Sequence, residues 1–155
     1  NYHSQNSHVL PAMLKRFYNA KNNGLEEITC WGSGSPMREF LYVDDLADAC
    51  TFILENISSN NEIFYDENNN FFGILNVGLG IDISIKELAN LVSSVVGFEG
   101  KINWDLSKPD GTPRKLLDIS NLKKLGWSAQ TELKRGIELT FKSFLKEIQD
   151  KSIRY

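Results

Sequence analysis

The chain has 155 residues, of which 41% are hydrophobic and 24% are charged, and its formal net charge is −3. These values match those of ordinary globular proteins, so they exclude a disordered chain and a fibrous repeat. A chain of this length can bury one core but is too short for two ordinary domains, so we expect a single domain over residues 1–155. With no apolar run long enough for a bilayer, we expect a cytoplasmic protein that does not bind membranes.

Charge is unevenly distributed along the chain. Residues 114–155 hold 10 Lys and Arg against 5 Asp and Glu, whereas residues 1–113 hold 7 and 15. The basic residues of the tail alternate with apolar ones at helical spacing, which indicates a solvated helix face rather than a nucleic-acid surface. Cys30 and Cys50 fit neither a disulfide framework nor a zinc site, so we expect two buried, inert thiols.

Apolar patterns predict strands and helices that alternate along the chain. The predicted elements, in chain order, are a helix over residues 8–21, a strand over 28–31, a strand over 40–43, a helix over 44–57, a strand over 72–77, a helix over 84–96, a strand over 101–104, a short helix closed by Gly126 and a last helix after Thr131. Residues 58–70 have no apolar period and should form a surface loop. This alternation predicts an α/β fold with at least some parallel strand pairing.

Polar residues at the predicted helix starts indicate how the helices are capped. Ser84 and Glu87 have the spacing of a capping box, in which each side chain accepts a hydrogen bond from the backbone N–H of the other residue. The other predicted caps are Ser7, Asp44 or Asp45, and Asp118 or Ser120.

The run Gly78-Leu79-Gly80-Ile81-Asp82-Ile83 could be taken for a dinucleotide-binding fingerprint. Ile83 occupies the third glycine position, and a side chain there opposes the close helix-to-strand approach that the fingerprint requires. We therefore expect a plain tight turn.

Two distant runs have the composition of an anion site that is split between them. They are Trp31-Gly32-Ser33-Gly34-Ser35-Pro36-Met37-Arg38-Glu39-Phe40 and Ser107-Lys108-Pro109-Asp110-Gly111-Thr112-Pro113-Arg114-Lys115. Each places cations beside Gly and Pro turns, where backbone N–H groups and a guanidinium or ammonium can surround phosphate oxygens. A diphosphate would suit them if the fold brings the runs together. The alternative for Arg38 and Asp110 is turn stabilisation.

The start of the first predicted helix carries two further candidates. His8 could exchange a proton near neutral pH, or it could be a partly buried histidine satisfied by a loop carbonyl. Arg16 lies on nearly the same side of the helix and could meet the same ligand, or it could form a surface ion pair with Glu26 or Glu27. His3 is the only other histidine, and neither histidine has a Cys or carboxylate at ligand spacing, so we expect no metal site.

Four runs of the chain carry a family resemblance. They are Asn6-Ser7-His8-Val9-Leu10-Pro11, the two runs described above, and Val43-Asp44-Asp45. In this order, across nearly the whole chain, they resemble the GDP-L-fucose synthase family of extended short-chain dehydrogenase/reductases. The resemblance implies an enzyme that epimerises two ring carbons of GDP-4-keto-6-deoxy-D-mannose and reduces its ketone with hydride from NADPH, giving GDP-L-fucose.

The resemblance also implies roles for individual residues. His8 matches the family histidine that donates a proton during epimerisation and lies beside the nicotinamide. Arg38 would bind the diphosphate, and Asp110 the nucleoside end. The residues that match or are candidates for the GDP-sugar site are Arg16, Trp31, Arg38, Lys108, Asp110 and Lys115.

The chain begins at Asn1 rather than Met, and we expect it to be the carboxy-terminal, substrate-binding portion of a longer enzyme. The cofactor domain that precedes it in the family would hold most of the NADPH site, the Tyr and Lys of reduction and the cysteine base, so this portion alone should be inactive. Residues 40–57 would pack back on that domain. The full-length family is homodimeric through the absent domain, so we expect no native dimer of this piece. The alternatives are a portion of another nucleotide-sugar epimerase or dehydratase, and a stand-alone nucleotide-sugar binding module without catalysis.

Overall fold

The computed structural model describes Tyr2 and residues 7–152, so the predictions that involve Asn6 and His3 fall on residues outside this description. The helices and strands are, in chain order, α1 (Val9–Asn22), β1 (Glu27–Trp31), β2 (Met37–Glu39), α2 (Val43–Asn56), a 3₁₀ helix (Glu62–Phe64), β3 (Asp82–Ser84), α3 (Ile85–Val96), β4 (Lys101–Asp105), β5 (Arg114–Lys115), α4 (Ser120–Lys124) and α5 (Leu133–Gln149).

The predicted α/β class with parallel strand pairing is confirmed. Strands β1 and β4 run parallel, with Glu27 opposite Lys101 and Trp31 opposite Asp105. The three short strands form a second sheet in the order β3-β2-β5.

The chain divides into two compact units. Unit 1 comprises Asn1–Met37, Ile83–Arg114 and Lys134–Tyr155, and unit 2 comprises Arg38–Asp82 and Lys115–Leu133. That residues 1–155 act as one substrate-binding portion stays a prediction.

Helices α1, α3 and α5 supply most of the core of unit 1. Helix α1 packs against both α3 and β1. The ring of Phe17 meets that of Phe98 edge to face, with centroids 5.5 Å apart. The largest fully buried side chains in this unit are Leu14, Phe17, Leu88, Val92, Val96, Ile137 and Phe144.

The capping box at the start of α3 is confirmed. Ser84 Oγ accepts a hydrogen bond from Glu87 N at 3.1 Å, and Glu87 Oε2 accepts one from Ser84 N at 3.0 Å. The helix ends at Gly97, whose φ of 73° lies in the left-handed region that favours glycine. Local sequence thus fixes both ends of α3.

The core of unit 2 forms where α2 meets the segment around α4. Its buried centre is Ala49, Leu122 and Trp127. Two side-chain contacts hold the segments together: Trp127 Nε1 donates to Asp48 Oδ2 at 2.7 Å, and Asp45 accepts from Thr131 N at 2.9 Å and from Thr131 Oγ1 at 3.0 Å.

The predicted strand over residues 40–43 is wrong. The strand in this region is β2, three residues earlier, and Val43 already belongs to α2. The N-cap of α2 is Tyr42, which makes no side-chain capping bond, rather than Asp44 or Asp45. Asp44 and Asp45 lie inside the first turn of α2, past the cap position, and the Asp45 carboxylate accepts hydrogen bonds from Thr131.

The predicted strand over residues 72–77 is also wrong, since these residues belong to neither of the sheets described. Leu75 and Val77 pack against the core of unit 2, while Phe72 and Ile74 are 42% and 66% exposed. The apolar run that predicted a strand does have one side turned towards the core, but a strand also needs a neighbour to pair with, and an apolar run does not indicate one.

Three further predictions, one about Cys50 and two about helix caps, are also wrong. Cys30 is buried as expected, but Cys50 is exposed because α2 turns Ala49 towards the core and Cys50 away from it. The N-cap of α1 is His8 rather than Ser7. That of α4 is Ile119, and Asp118 instead accepts hydrogen bonds from Ser120 N and Oγ.

Candidate functional site

Two loops follow the carboxyl ends of the paired parallel strands in unit 1. We call residues 32–36, after β1, the first loop and residues 106–113, after β4, the second loop. Gly32 N donates to the Asp105 carbonyl at 3.0 Å, and Met37 N donates to the Pro113 carbonyl at 2.8 Å. The carboxyl ends of parallel strands are where open α/β sheets bind ligands. Unit 1 therefore joins the two sequence runs, as a site shared between them requires.

Asp110 in the second loop is bound by Ser33 in the first. Ser33 N donates to Asp110 Oδ1 at 2.9 Å, and Ser33 Oγ donates to Asp110 Oδ2 at 2.6 Å. The side-chain bond from Ser33, helped by the backbone bond, lowers the pKa of Asp110 below its ordinary value. Asp110 is therefore an ionised acceptor at neutral pH.

Asp110 determines the direction of the hydrogen bond between the hydroxyls of Ser33 and Ser35. Ser33 Oγ has one proton, which goes to Asp110, so Ser35 Oγ, 2.7 Å away, donates to Ser33 Oγ. Ser35 N donates to the same oxygen at 3.1 Å. The hydroxyl of Ser33 is thus held from behind by two donors and faces the carboxylate.

Gly32 allows the close approach of the two loops, and Gly34 leaves room for the ring of Trp104 in β4. Both have φ near the left-handed helix, at 76° and 75°. A Cβ on Gly32 would lie 2.3 Å from Asp110 Oδ1, and one on Gly34 would lie 2.7 Å from the Trp104 ring. A side chain at Gly32 would push Asp110 and the second loop away, and one at Gly34 would displace the Trp104 ring.

Trp31 and Lys108 form an exposed aromatic and cationic pair beside the two loops. The Trp31 side chain is 70% exposed, and Lys108 Nζ lies 5.8 Å from the centroid of its ring. A cation at this distance is attracted by the face of the indole. The pair presents a flat apolar surface and a positive charge, a combination that suits a planar base attached to phosphate.

The second loop is anchored by Asp105. Its Oδ1 accepts from Ser107 N at 3.0 Å and from Ser107 Oγ at 2.6 Å, and its carbonyl accepts from Lys108 N at 3.2 Å. The Ser107 bonds are the main cause of a lowered pKa of Asp105, and the nearby charge of Lys108 adds to it.

Arg16 connects α1 to β1. Its Nη2 donates to the Thr29 carbonyl, and the side chain is exposed at the helix surface. Next to it, burial raises the pKa of the Cys30 thiol, an effect that the charge of Arg16 offsets only in part. Cys30 is therefore a protonated, inert thiol at neutral pH, in line with its sequence-based interpretation.

His8 is the N-cap residue of α1. Its backbone is extended and its carbonyl accepts from Ala12 N at 3.0 Å, while its imidazole makes no capping bond and is exposed. The alternative of a partly buried histidine does not apply. An exposed imidazole at a helix start is open to a ligand, and its role as proton donor stays a prediction.

The remaining predicted site residues lie in unit 2. Arg38 is half-buried in β2, and Lys115 is exposed in β5. Their predicted contacts with a diphosphate stay predictions.

The glycine turn of unit 2 is a binding site for one of the chain's own carboxylates. Gly80 N donates to Glu39 Oε1, and Leu117 N donates to Glu39 Oε2 at 3.1 Å. A Cβ on Gly78 would lie 2.4 Å from Glu39 Oε1, which explains why this position has a glycine. A carboxylate bound to the turn repels phosphate, so the residues of this turn do not fit NADPH. The sequence analysis assigned no role to Glu39.

The described part of the chain, Tyr2 and residues 7–152, has neither a cluster of metal ligands nor a membrane-spanning helix. These residues contain no group of three or more His, Cys, Asp or Glu side chains that could hold a metal ion. No helix among them is both long and apolar enough to cross a membrane.

Comparison with known proteins defines first the class that the chain resembles. The sequence model of the NAD dependent epimerase/dehydratase family matches residues 1–71. Within this class, the chain is 51% identical over 148 residues to GDP-L-fucose synthase 1 of Arabidopsis thaliana, a match that covers 96% of the chain and 42% of that protein. The resemblance to GDP-L-fucose synthases is confirmed.

Solved structures have the same fold. A GDP-6-OMe-4-keto-L-xylo-heptose reductase from C. jejuni has a TM-score of 0.83 at 29% identity, covering 95% of this chain and 50% of that one. A GDP-mannoheptose C4 reductase from Campylobacter jejuni with NADP bound has a TM-score of 0.75 at 34% identity, covering 92% and 46%. The chain thus spans half or less of the length of these proteins.

Proposed function

We propose that this chain is the substrate-binding portion of an NADPH-dependent GDP-L-fucose synthase, the enzyme that converts GDP-4-keto-6-deoxy-D-mannose to GDP-L-fucose. The observation that carries the proposal is the meeting of the two loops at the carboxyl ends of β1 and β4, where Trp31, Lys108 and Asp110 surround one surface. The 51% identity to a protein named GDP-L-fucose synthase 1 supports the choice of ligand.

The residues divide into those that hold the substrate and one that reacts with it. Trp31 offers a ring face to the base, Asp110 accepts hydrogen bonds from the nucleoside, and the diphosphate binds Arg38, with Arg16, Lys108 and Lys115 as further cations. These contacts fix a charged part of the substrate that does not react, and the binding energy places the sugar for chemistry. His8 donates a proton to the sugar during epimerisation.

NADPH binds mainly outside this chain. The glycine turn at Gly78 and Gly80 does not fit the cofactor, and His8 is the residue of this chain that lies beside the nicotinamide. When bound, NADPH supplies the hydride for reduction. The chain therefore needs the cofactor domain of the same enzyme as a partner and has no turnover alone.

The proposal extends to the setting of the full-length enzyme. Its substrate is a GDP-linked 4-keto-6-deoxy sugar, it works in the cytoplasm as a homodimer, and it contacts neither nucleic acid nor membrane. The positive tail supports no nucleic-acid role, because cations such as Lys134 and Arg135 lie on the exposed face of the amphipathic helix α5.

The proposal is tested by titrating the chain with GDP in an isothermal calorimeter. Arg38→Ala should weaken binding by about 1.5 to 3 kcal/mol, the range for a hydrogen bond to a charged group. The matched control is Arg135→Ala, which removes the same charge from an exposed i,i+3 ion pair with Glu138 on α5. Equal affinity of Arg38→Ala and Arg135→Ala would remove Arg38 from the site, and no binding of GDP by the unsubstituted chain would refute the proposal.

A second candidate is a portion of another nucleotide-sugar epimerase or dehydratase. It is favoured by the breadth of the family model that matches residues 1–71, NAD dependent epimerase/dehydratase, whose name specifies no one nucleotide sugar. Competition between GDP, UDP and dTDP in the same titration separates the two, because a GDP-L-fucose synthase should prefer GDP.

A further inference from the structure

Both oxygens of the Asp110 carboxylate are bound by a single residue, Ser33. We infer that Ser33 is a positioning residue of the nucleotide site: it orients the Asp110 carboxylate so that the remaining acceptor positions face the nucleoside. This inference rests on the proposed function, since it takes Asp110 as the residue at the nucleoside end. Sequence reasoning gave Ser33 no role of its own.

The count of acceptor positions supports this role. A carboxylate accepts about four hydrogen bonds, two at each oxygen. Ser33 takes one position on Oδ1 through its N–H and one on Oδ2 through its hydroxyl. One position therefore remains on each oxygen, and each can accept one N–H or O–H donor of a nucleoside.

The two bonds also fix the orientation of the carboxylate. Asp110 is exposed, and an exposed aspartate loses rotamer freedom when it binds a ligand, which weakens binding. Donors on both oxygens from one neighbour restrain the rotation of the carboxylate before the ligand arrives. Ser35 restrains the Ser33 hydroxyl in turn through its own hydroxyl and N–H.

A purely structural role is the alternative, because the same bonds join the first loop to the second. The two roles differ in what they affect. A structural role would weaken every ligand of the site, including pyrophosphate, because the two loops would be joined less firmly. A positioning role would weaken only ligands that contain a nucleoside and would act only through Asp110.

The experiment is a calorimetric titration of the chain with GDP and with inorganic pyrophosphate. Ser33→Ala should bind GDP about fivefold to tenfold more weakly and pyrophosphate unchanged, because one bond to a charged carboxylate is lost. Ser33→Thr, which keeps the hydroxyl, should restore GDP binding. The matched control is Ser120→Ala, which removes the same kind of serine-to-aspartate bond in unit 2 and should bind GDP as the unsubstituted chain does.

A double-mutant cycle completes the test. In an Asp110→Ala background, Ser33→Ala should cause no further loss of GDP affinity. If Ser33→Ala does not fold, Ser35→Ala replaces it, since it removes a donor to the Ser33 hydroxyl without touching Asp110 and should weaken GDP binding in the same direction. The inference is overturned by unchanged GDP affinity, by an equal loss for pyrophosphate, or by a loss that persists without Asp110. Failure of the unsubstituted chain to bind GDP would instead refute the proposed function, and this inference with it.

Discussion

Gly32 must lack a side chain for two separate reasons, its backbone conformation and its distance from Asp110. Its φ of 76° is unfavourable for other residues, and a Cβ would lie 2.3 Å from Asp110 Oδ1. Gly24 has a similar φ of 63° but no atom within 4 Å of its Cβ position. A comparison of substitutions at the two glycines therefore separates the free-energy cost of the backbone conformation from that of the steric clash.

We expect Gly32→Ala to destabilise the chain more than Gly24→Ala does. Both variants should lose about 1 kcal/mol for a left-handed non-glycine residue, and Gly32→Ala should lose a further 1 to 2 kcal/mol because it displaces Asp110. Urea denaturation followed by circular dichroism measures both. Equal losses would mean that Asp110 moves aside without cost.

The Ser33 to Asp110 contact also predicts a pH dependence. Its hydrogen bonds lower the pKa of Asp110 in the folded chain, so they stabilise the fold above the ordinary aspartate pKa of about 3.9, and this stabilisation is lost as the pH falls through the lowered value. Ser33→Ala should raise the pKa of Asp110 towards the ordinary value, as measured by carbon-13 NMR of the carboxyl group. Asp105 keeps its bonds from Ser107 in this variant and is the internal control, so its pKa should not change.

At the scale of elements, the capping box of α3 is the clearest case in which neighbouring residues determine structure. We expect Ser84→Ala to lower the free energy of unfolding by about 1 kcal/mol, because the N–H of Glu87 loses its acceptor. Ser94→Ala in the same helix is the control, since Ser94 is exposed and alanine is the better helix former. Urea denaturation should therefore show a loss for the first variant and no loss for the second.

Elements with strong local signals could be predicted, and elements that need a partner could not. Helices α1, α3 and α5 have regular apolar periods, and β1 and β4 are short segments with β-branched and aromatic residues, so their positions agree with the sequence to within a residue or two. Strand β5 is two residues long and exists through its neighbour β2. Such strands leave no pattern in a single sequence.

The site shows the same division between what is local and what is not. The motif runs indicated Trp31, Lys108 and Asp110 as candidates because composition and family resemblance are readable along the chain. The contact between Ser33 and Asp110 joins residues 77 positions apart, and the residue spacing within either run does not predict it. The role of Glu39 could not be predicted for the same reason, since the glycines that it contacts lie about forty positions further along the chain.

At the scale of the whole molecule, α2 raises the question of what covers its outer face. Val43, Leu46 and Leu54 are 65%, 42% and 85% exposed, although they lie on one side of an apolar helix. Residues 40–57 are the segment that family resemblance predicts to pack on a cofactor domain. In this chain the face is open to water, and an exposed apolar stripe promotes self-association.

We expect Leu54→Lys to reduce self-association of the isolated chain without destabilising it, because the Leu54 side chain makes few contacts to lose. Sedimentation velocity over a range of concentrations should show weak association without fixed stoichiometry for the unsubstituted chain, and less of it for the variant. Leu25→Lys, at a leucine that is 51% exposed in unit 1, is the matched control and should change nothing. An equal effect of both variants would mean that α2 has no special part in association. A tight dimer of defined stoichiometry would contradict the expectation that native dimerisation belongs to the cofactor domain, because the interface would then lie within these 155 residues.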